Sequence, residues 1–179
     1  MRAPLRGPAM RPALGVFIEI LALAGFLGLD FIVPPGLIYL LYVVAAQLLA
    51  TYLVHCPAHY LVGIAVGIRF KSLRLGRTTL ARALPPRWGR LARLIPILTL
   101  STDKPSLAHV SKSKVSAMYL SGTVASSAAA VVVAAVVTPL GSPALVAVTW
   151  VVAVGYLLFD VVFSPRSGDV MRARAARRP

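Results

Sequence analysis

The stretch LIYLLYVVAAQLLATYLVHCPAHYLVGIAVGI, residues 37–68, decides how this chain folds. It is apolar almost throughout and longer than a helix needs, at about 1.5 Å per residue, to cross a hydrocarbon core of about 30 Å. Pro57 cannot donate a hydrogen bond to the carbonyl of Leu53, so we predict a transmembrane helix that kinks there. His55 and His59 lie four residues apart and therefore leave the same face of that helix.

The composition of the whole chain is that of a membrane protein. Of its 179 residues, 58% are hydrophobic, whereas soluble domains contain about 45 to 50%. The net charge of +14 does not point to nucleic acid, because no pattern of base-stacking aromatic residues accompanies it. Basic residues that flank apolar segments instead predict contact with anionic lipid headgroups, and the lone cysteine, Cys56, excludes an intrachain disulfide.

We predict an all-α, polytopic protein of the cell membrane with four transmembrane helices. The predicted units are two transmembrane helices in residues 1–68, a basic cytoplasmic loop in residues 69–114, two further helices in residues 115–163, and a basic tail in residues 164–179. All 19 Lys and Arg residues fall in the N-terminus, the loop and the tail, and none falls in the two short turns. The positive-inside rule then places both termini in the cytoplasm.

Two patterns within the loop predict local structure. Alternation from Ile68 to Lys71 predicts a short strand that ends near Gly76. Arginines at helical spacing in residues 87–95, opposite apolar residues, predict a helix on the membrane surface. An amphipathic helix packed on the rest of the loop is the alternative.

Polar residues in the predicted spans suggest a metal site. Four of them recur at every fourth position of the second helix and should face the interior of the bundle: Gln47, Thr51, His55 and His59. Asp160, on the fourth helix, falls at a depth similar to that of the two histidines. Two histidines and a carboxylate with an open position form a catalytic zinc site, so His55, His59 and Asp160 are the predicted ligands of Zn²⁺.

Other assignments of these residues remain open. The histidines can instead be structural, bonded to Thr51, to a tyrosine hydroxyl or to the carbonyl freed by Pro57. Asp160 can instead pair with Arg69 or Lys114 at the inner interface. Glu19 lies about 10 Å into the first helix and can join the cluster. We expect His109 to be solvated or to face the lipid headgroups, and the small residues Gly122, Ser126 and Ala130 to form a ridge for close helix contact.

The segment from His55-Cys-Pro-Ala-His59 to Gly67-Ile-Arg-Phe70 resembles the site-2 protease family of intramembrane zinc proteases. The chain also looks like small archaeal membrane proteins of unassigned activity. The family carries HExxH on a transmembrane helix, and its Glu is the general base for hydrolysis; this chain has Cys56 at that position, and a thiol is a poor base. The family's third ligand is an Asp in a Pro-x-Asp-Gly-like motif; Asp169, after Pro165 and Gly168, is the nearer match in sequence, whereas Asp160 is favoured by depth.

The resemblance implies a site-2-protease-like core with a degenerate zinc-type site, which is non-proteolytic and binds a metal or the helices of another membrane protein. A non-enzymatic membrane subunit or scaffold with structural histidines is one alternative. The other is an active zinc-dependent peptidase in which Glu19 replaces the lost base.

Overall fold

The structure, a computed structural model, describes residues 9–34, 36–77 and 96–177. These residues are mostly helical, and they include the following helices: α1 (Pro12–Gly28), α2 (Leu37–Leu53), α3 (His55–Ala65), α4 (Lys104–Ala108), α5 (Lys112–Val137), α6 (Pro143–Ser167) and α7 (Asp169–Arg177). The surface helix predicted for residues 87–95 lies outside the described residues.

Three helical segments are long and apolar enough to cross a membrane. They are Leu37–Ala65, which combines α2 and α3, Lys112–Val137 and Pro143–Arg166. Helix α1 is also apolar but has only 17 residues. The prediction of a helical membrane protein agrees with these features.

The long apolar segment is interrupted close to Pro57, where the sequence predicts a kink. The helix is interrupted at Val54, which separates α2 from α3. The carbonyl of Val54 accepts from the N–H of Ala58 at 3.0 Å, so regular helix resumes at once. Pro57 has no N–H to offer the carbonyl of Leu53, and this missing hydrogen bond explains the break three residues earlier.

A small antiparallel sheet lies at one end of the helices. It has the order β1-β2-β3, with β1 at Ala9–Met10, β2 at Phe70–Arg77 and β3 at Pro96–Thr102. Gly67, with a φ of 91°, turns the chain from α3 toward β2, a backbone conformation that glycine adopts without strain. The strand predicted to begin near Ile68 is therefore confirmed, whereas β1 and β3 were not predicted.

Helix α5 is the centre of the bundle and packs against α2, α3, α6 and α7. Gly122, Ser126 and Ala130 are buried along one of its faces, as predicted for a ridge of small residues. The amide of Gln47 donates to the carbonyls of Ala130 at 2.8 Å and Thr149 at 3.0 Å, and so joins α2 to α5 and α6. The polar face of α2 and α3 therefore points into the bundle.

Candidate metal centre

Three ionisable side chains converge where α3, α5 and α7 meet. The Nε2 atoms of His55 and His59 are 3.2 Å apart. Oδ2 of Asp169 lies 2.9 Å from Nε2 of His55 and 3.2 Å from Nε2 of His59. His59 and Asp169 are buried, and among the described residues these three form the one cluster whose atoms are placed to hold a metal ion.

The other ring nitrogen of His59 determines its tautomer. Nδ1 of His59 lies 2.7 Å from the carbonyl oxygen of Met118, in the first half of α5. A carbonyl can only accept, so Nδ1 carries a hydrogen. In the neutral ring Nε2 then has a free lone pair directed at the cluster.

His55 is fixed in the same tautomer by a hydroxyl. Ser126 donates its single hydroxyl hydrogen to the carbonyl of Thr51 at 2.7 Å. The Ser126 oxygen therefore accepts from Nδ1 of His55, which is 3.1 Å away. In the neutral rings both Nε2 atoms thus present lone pairs to each other and to the Asp169 carboxylate, an arrangement that is repulsive unless a metal ion or a proton lies among them.

Asp169 reaches the histidines because the chain breaks just after α6. Gly168 leaves the helical conformation, with φ −107° and ψ −153°, and α7 begins at the next residue. The hydroxyl of Ser164 accepts from the N–H of Val170 at 3.3 Å and so satisfies one free donor of the first turn of α7. Helix α7 then packs along α5, where Arg177 donates to the hydroxyl of Ser116 at 2.9 Å.

The surroundings of Asp169 favour its ionised form. Burial alone raises the pKa of this carboxyl, but once an imidazole holds a proton at Nε2, the hydrogen bonds and charge interactions with His55 and His59 outweigh burial and hold the pKa well below its usual range. Its second oxygen, Oδ1, accepts from the guanidinium of Arg172 at 3.1 Å. Arg172 thus leaves Oδ2 as the carboxylate oxygen that faces the two imidazoles.

The donor set fits a tetrahedral transition metal such as zinc. Zinc binds histidine nitrogen and carboxylate oxygen at about 2.0 to 2.2 Å, which places neighbouring tetrahedral ligands about 3.3 Å apart. The three separations here, 2.9, 3.2 and 3.2 Å, are close to that value. The Nδ1 hydrogen bonds to Met118 and Ser126 are of the kind that orients metal-ligating histidines. The His55 side chain is 33% exposed, against 10% for His59, so the cluster is most open on the His55 side.

The structure does not bring Asp160 into this cluster, in contrast to the prediction. Asp160 instead accepts from the hydroxyl of Ser127 at 2.7 Å. Ser127 is the neighbour of Ser126 on α5 and therefore points about 100° away from it around the helix. The side chain of Asp160 therefore reaches α5 close to the cluster, but on a different face of α5 from the one that Ser126 presents to His55.

Two further residues that the sequence singled out also lie outside the cluster. Glu19 is buried on α1, and both of its carboxylate oxygens lack a hydrogen-bond partner among the described residues. Cys56 is buried, and its thiol points to the carbonyl of Leu98 on β3, 3.5 Å away. His109 is exposed after α4, as predicted.

Comparison with known proteins identifies no relative of this chain. No protein-family model, no curated protein and no solved structure matches the chain significantly. A functional assignment therefore depends on the cluster and on the membrane-type helices.

Proposed function

We propose that this chain is an integral membrane protein whose site-2-protease-like core binds a divalent transition metal through His55, His59 and Asp169. Zinc is the metal that we propose. The observation that carries the proposal is the convergence of three lone-pair-bearing atoms within 3.2 Å, with both imidazole tautomers fixed by Met118 and Ser126. A bound zinc ion supplies Lewis acidity and removes the repulsion among these atoms.

The proposed protein does not carry out ordinary proteolysis. Hydrolysis at such a site needs a general base within hydrogen-bond reach of the reacting group. Cys56 stands where the family has glutamate, and its thiol is directed at Leu98 on β3 instead of the cluster. Glu19, the predicted substitute, is not part of the cluster. The metal then serves to bind a ligand or to hold α3 and α7 together.

The proposed arrangement in the cell membrane has four spans and two cytoplasmic termini. Helix α1, at about 1.5 Å per residue, reaches about 25 Å and can cross a thin or locally compressed hydrocarbon core. The basic N-terminus, loop and tail then all face the cytoplasm. Cysteines placed at Asp30, Gly141 and Arg174 in a Cys56→Ala background test this. The first two should react with an impermeant maleimide added outside intact cells, and reaction at Arg174 would contradict the orientation.

Metal content tests the site itself. The full chain, purified in detergent and supplied with zinc, is analysed by elemental mass spectrometry after removal of loosely bound ions. We expect near-stoichiometric zinc in the wild type and in Asp160→Asn, and its loss in Asp169→Asn and in the His55→Ala, His59→Ala double variant. Zinc lost from Asp160→Asn but kept by Asp169→Asn would overturn the ligand assignment.

A membrane scaffold with structural histidines is the second candidate. It is favoured by the hydrogen bonds that tie the cluster to Met118, Ser126 and Arg172, because a proton shared between an imidazole and Asp169 also relieves the repulsion. A folded wild type that takes up no metal would support this candidate.

The third candidate, a peptidase with a relocated base, requires cleavage of a membrane substrate by the unmodified chain. Activity only after Cys56→Glu would support the degenerate-site proposal.

A further inference from the structure

A groove lies at the boundary between the apolar helices and the sheet, and it shares no lining residue with the histidine cluster. Residues at the start of α1, in the second half of α3 and at the start of β2 line the groove, and its volume is about 660 Å³. Small-molecule sites in proteins are typically about 300 to 1,000 Å³, so the groove is large enough for a lipid headgroup and the first part of its chains.

The lining of the groove combines two positive charges with an apolar wall. Arg11 and Arg69 contribute the charges, and Tyr60, Ile64 and Phe70 contribute the wall. The rings of Tyr60 and Phe70 lie 5.5 Å apart and form one aromatic surface. An amphipathic ligand with an anionic end and an apolar body matches this division.

The two guanidinium groups are available for such a ligand. Both arginines are exposed, and neither side chain pairs with an acidic group in the part of the chain that the structure describes. The lining contains no carboxylate. Asp103, whose N–H donates to the carbonyl of Arg69, has its own carboxylate paired with Lys71 at 3.0 Å.

The position of the groove along the helices agrees with the headgroup layer of a membrane. Arg11 immediately precedes apolar α1, and Arg69 follows α3 after a short turn. The pairing of Ala9 with Arg74 keeps the two arginine-bearing segments side by side. Basic residues at such helix ends lie at the depth of lipid phosphates.

We propose that this groove is a binding site for an anionic glycerophospholipid, whose phosphate lies between Arg11 and Arg69 and whose acyl chains follow Tyr60, Ile64 and Phe70. The site is independent of the metal cluster, so either proposal can fail without the other.

Titration of the full-length protein in neutral detergent tests the proposal. The probes are dioctanoyl phosphatidylglycerol, dioctanoyl phosphatidylcholine and glycerol 3-phosphate, with binding followed by native mass spectrometry and by the shift in unfolding temperature. We expect the Arg11→Gln, Arg69→Gln double variant to bind phosphatidylglycerol about 30-fold more weakly than the wild type, and each single variant about fivefold more weakly.

A matched control removes the same charge elsewhere. Arg166→Gln with Arg174→Gln replaces two exposed arginines of α6 and α7, neither of which lines the groove, and should leave the affinity within about twofold. Equal losses in the two double variants would overturn the site, because the binding would then follow net charge alone. Phosphatidylcholine binding as tightly as phosphatidylglycerol, or glycerol 3-phosphate competing at equal concentration, would also overturn it. If the double variant does not fold, the two single variants decide the outcome.

Discussion

If the cluster binds zinc as proposed, replacing Gly122 by alanine should weaken that binding without changing any of the three ligands. A Cβ at position 122 would overlap Nε2 of His59 and lie 2.6 Å from its Cε1. Ordinary contacts begin near 3.4 Å, so the imidazole or the helix must retreat by about 1 Å. Metal–ligand distances deviate from their usual values by no more than about 0.2 Å in a functional site. We therefore expect the affinity for zinc to fall by about 100-fold or more, beyond the 10- to 100-fold typical of outer-shell changes.

The assay is zinc retention against a competing chelator, measured on detergent-purified protein together with thermal unfolding. Gly155→Ala is the matched control, because a Cβ there meets nothing within 4 Å; it should keep its zinc. Overpacking should destabilise Gly122→Ala by about 1 to 3 kcal/mol, and that loss should largely disappear when His59→Ala is added, since the clashing partner is then gone. Wild-type zinc affinity in a folded Gly122→Ala protein would refute the placement of His59 against α5.

Three further substitutions probe the surroundings of the cluster. Arg172→Gln should lower zinc affinity by about tenfold, because Asp169 loses its half-exposed partner; unchanged affinity in the same chelator assay would contradict this role. Glu19→Leu should raise the free energy of unfolding by about 1 to 3 kcal/mol, since it removes a buried carboxylate that has no hydrogen-bond partner among the described residues. It should leave zinc content unchanged, and zinc loss would mean that Glu19 does reach the site. Gln47→Leu should lower the free energy of unfolding by about 1 kcal/mol, as two interhelical hydrogen bonds of about 0.6 kcal/mol each are lost; a loss above about 3 kcal/mol in a denaturing-detergent titration would show that Gln47 has a larger role.

Much of the bundle could be predicted because the decisive signals are local. A polar residue at every fourth position predicted one shared helix face for Gln47, Thr51, His55 and His59. In the structure that face points into the bundle. Small residues at the same four-residue spacing, Gly122, Ser126 and Ala130, predicted the ridge along which other helices pack on α5. The missing N–H of Pro57 predicted an interruption in the long helix. Each of these inferences needs only helical periodicity and the chemistry of a single residue.

The third member of the cluster could not be derived from depth. Counting residues along a straight helix places Asp160, on α6, near the histidines, and its carboxylate does reach a serine of α5. That serine is Ser127 and not Ser126, and a difference of one residue changes the face of α5 by about 100°. Asp169 reaches the site only because Gly168 ends α6 and α7 packs back on α5. The Pro-x-x-Gly-Asp sequence that begins at residue 165 pointed to Asp169 as the third ligand. Asp160 was preferred because Asp169 lies beyond the end of the apolar segment.

The sheet was predicted only in part because its pairing is not local. The alternation after Gly67 predicts β2, but β1 has only two residues, and β3 pairs with β2 across the intervening residues 78–95. Pairing between distant segments leaves no periodic signal in either segment alone.

The cluster joins residues that are made at different times. Asp169 follows His59 by 110 positions, and a ribosome adds about 5 to 20 residues per second. The two histidines are therefore synthesised, and their helix can enter the bilayer, roughly 5 to 20 s before the carboxylate emerges. A chain interrupted just before position 169 carries the three long apolar helices of the described residues yet lacks the acid of the cluster, so a complete cluster shows that translation has passed the end of α6.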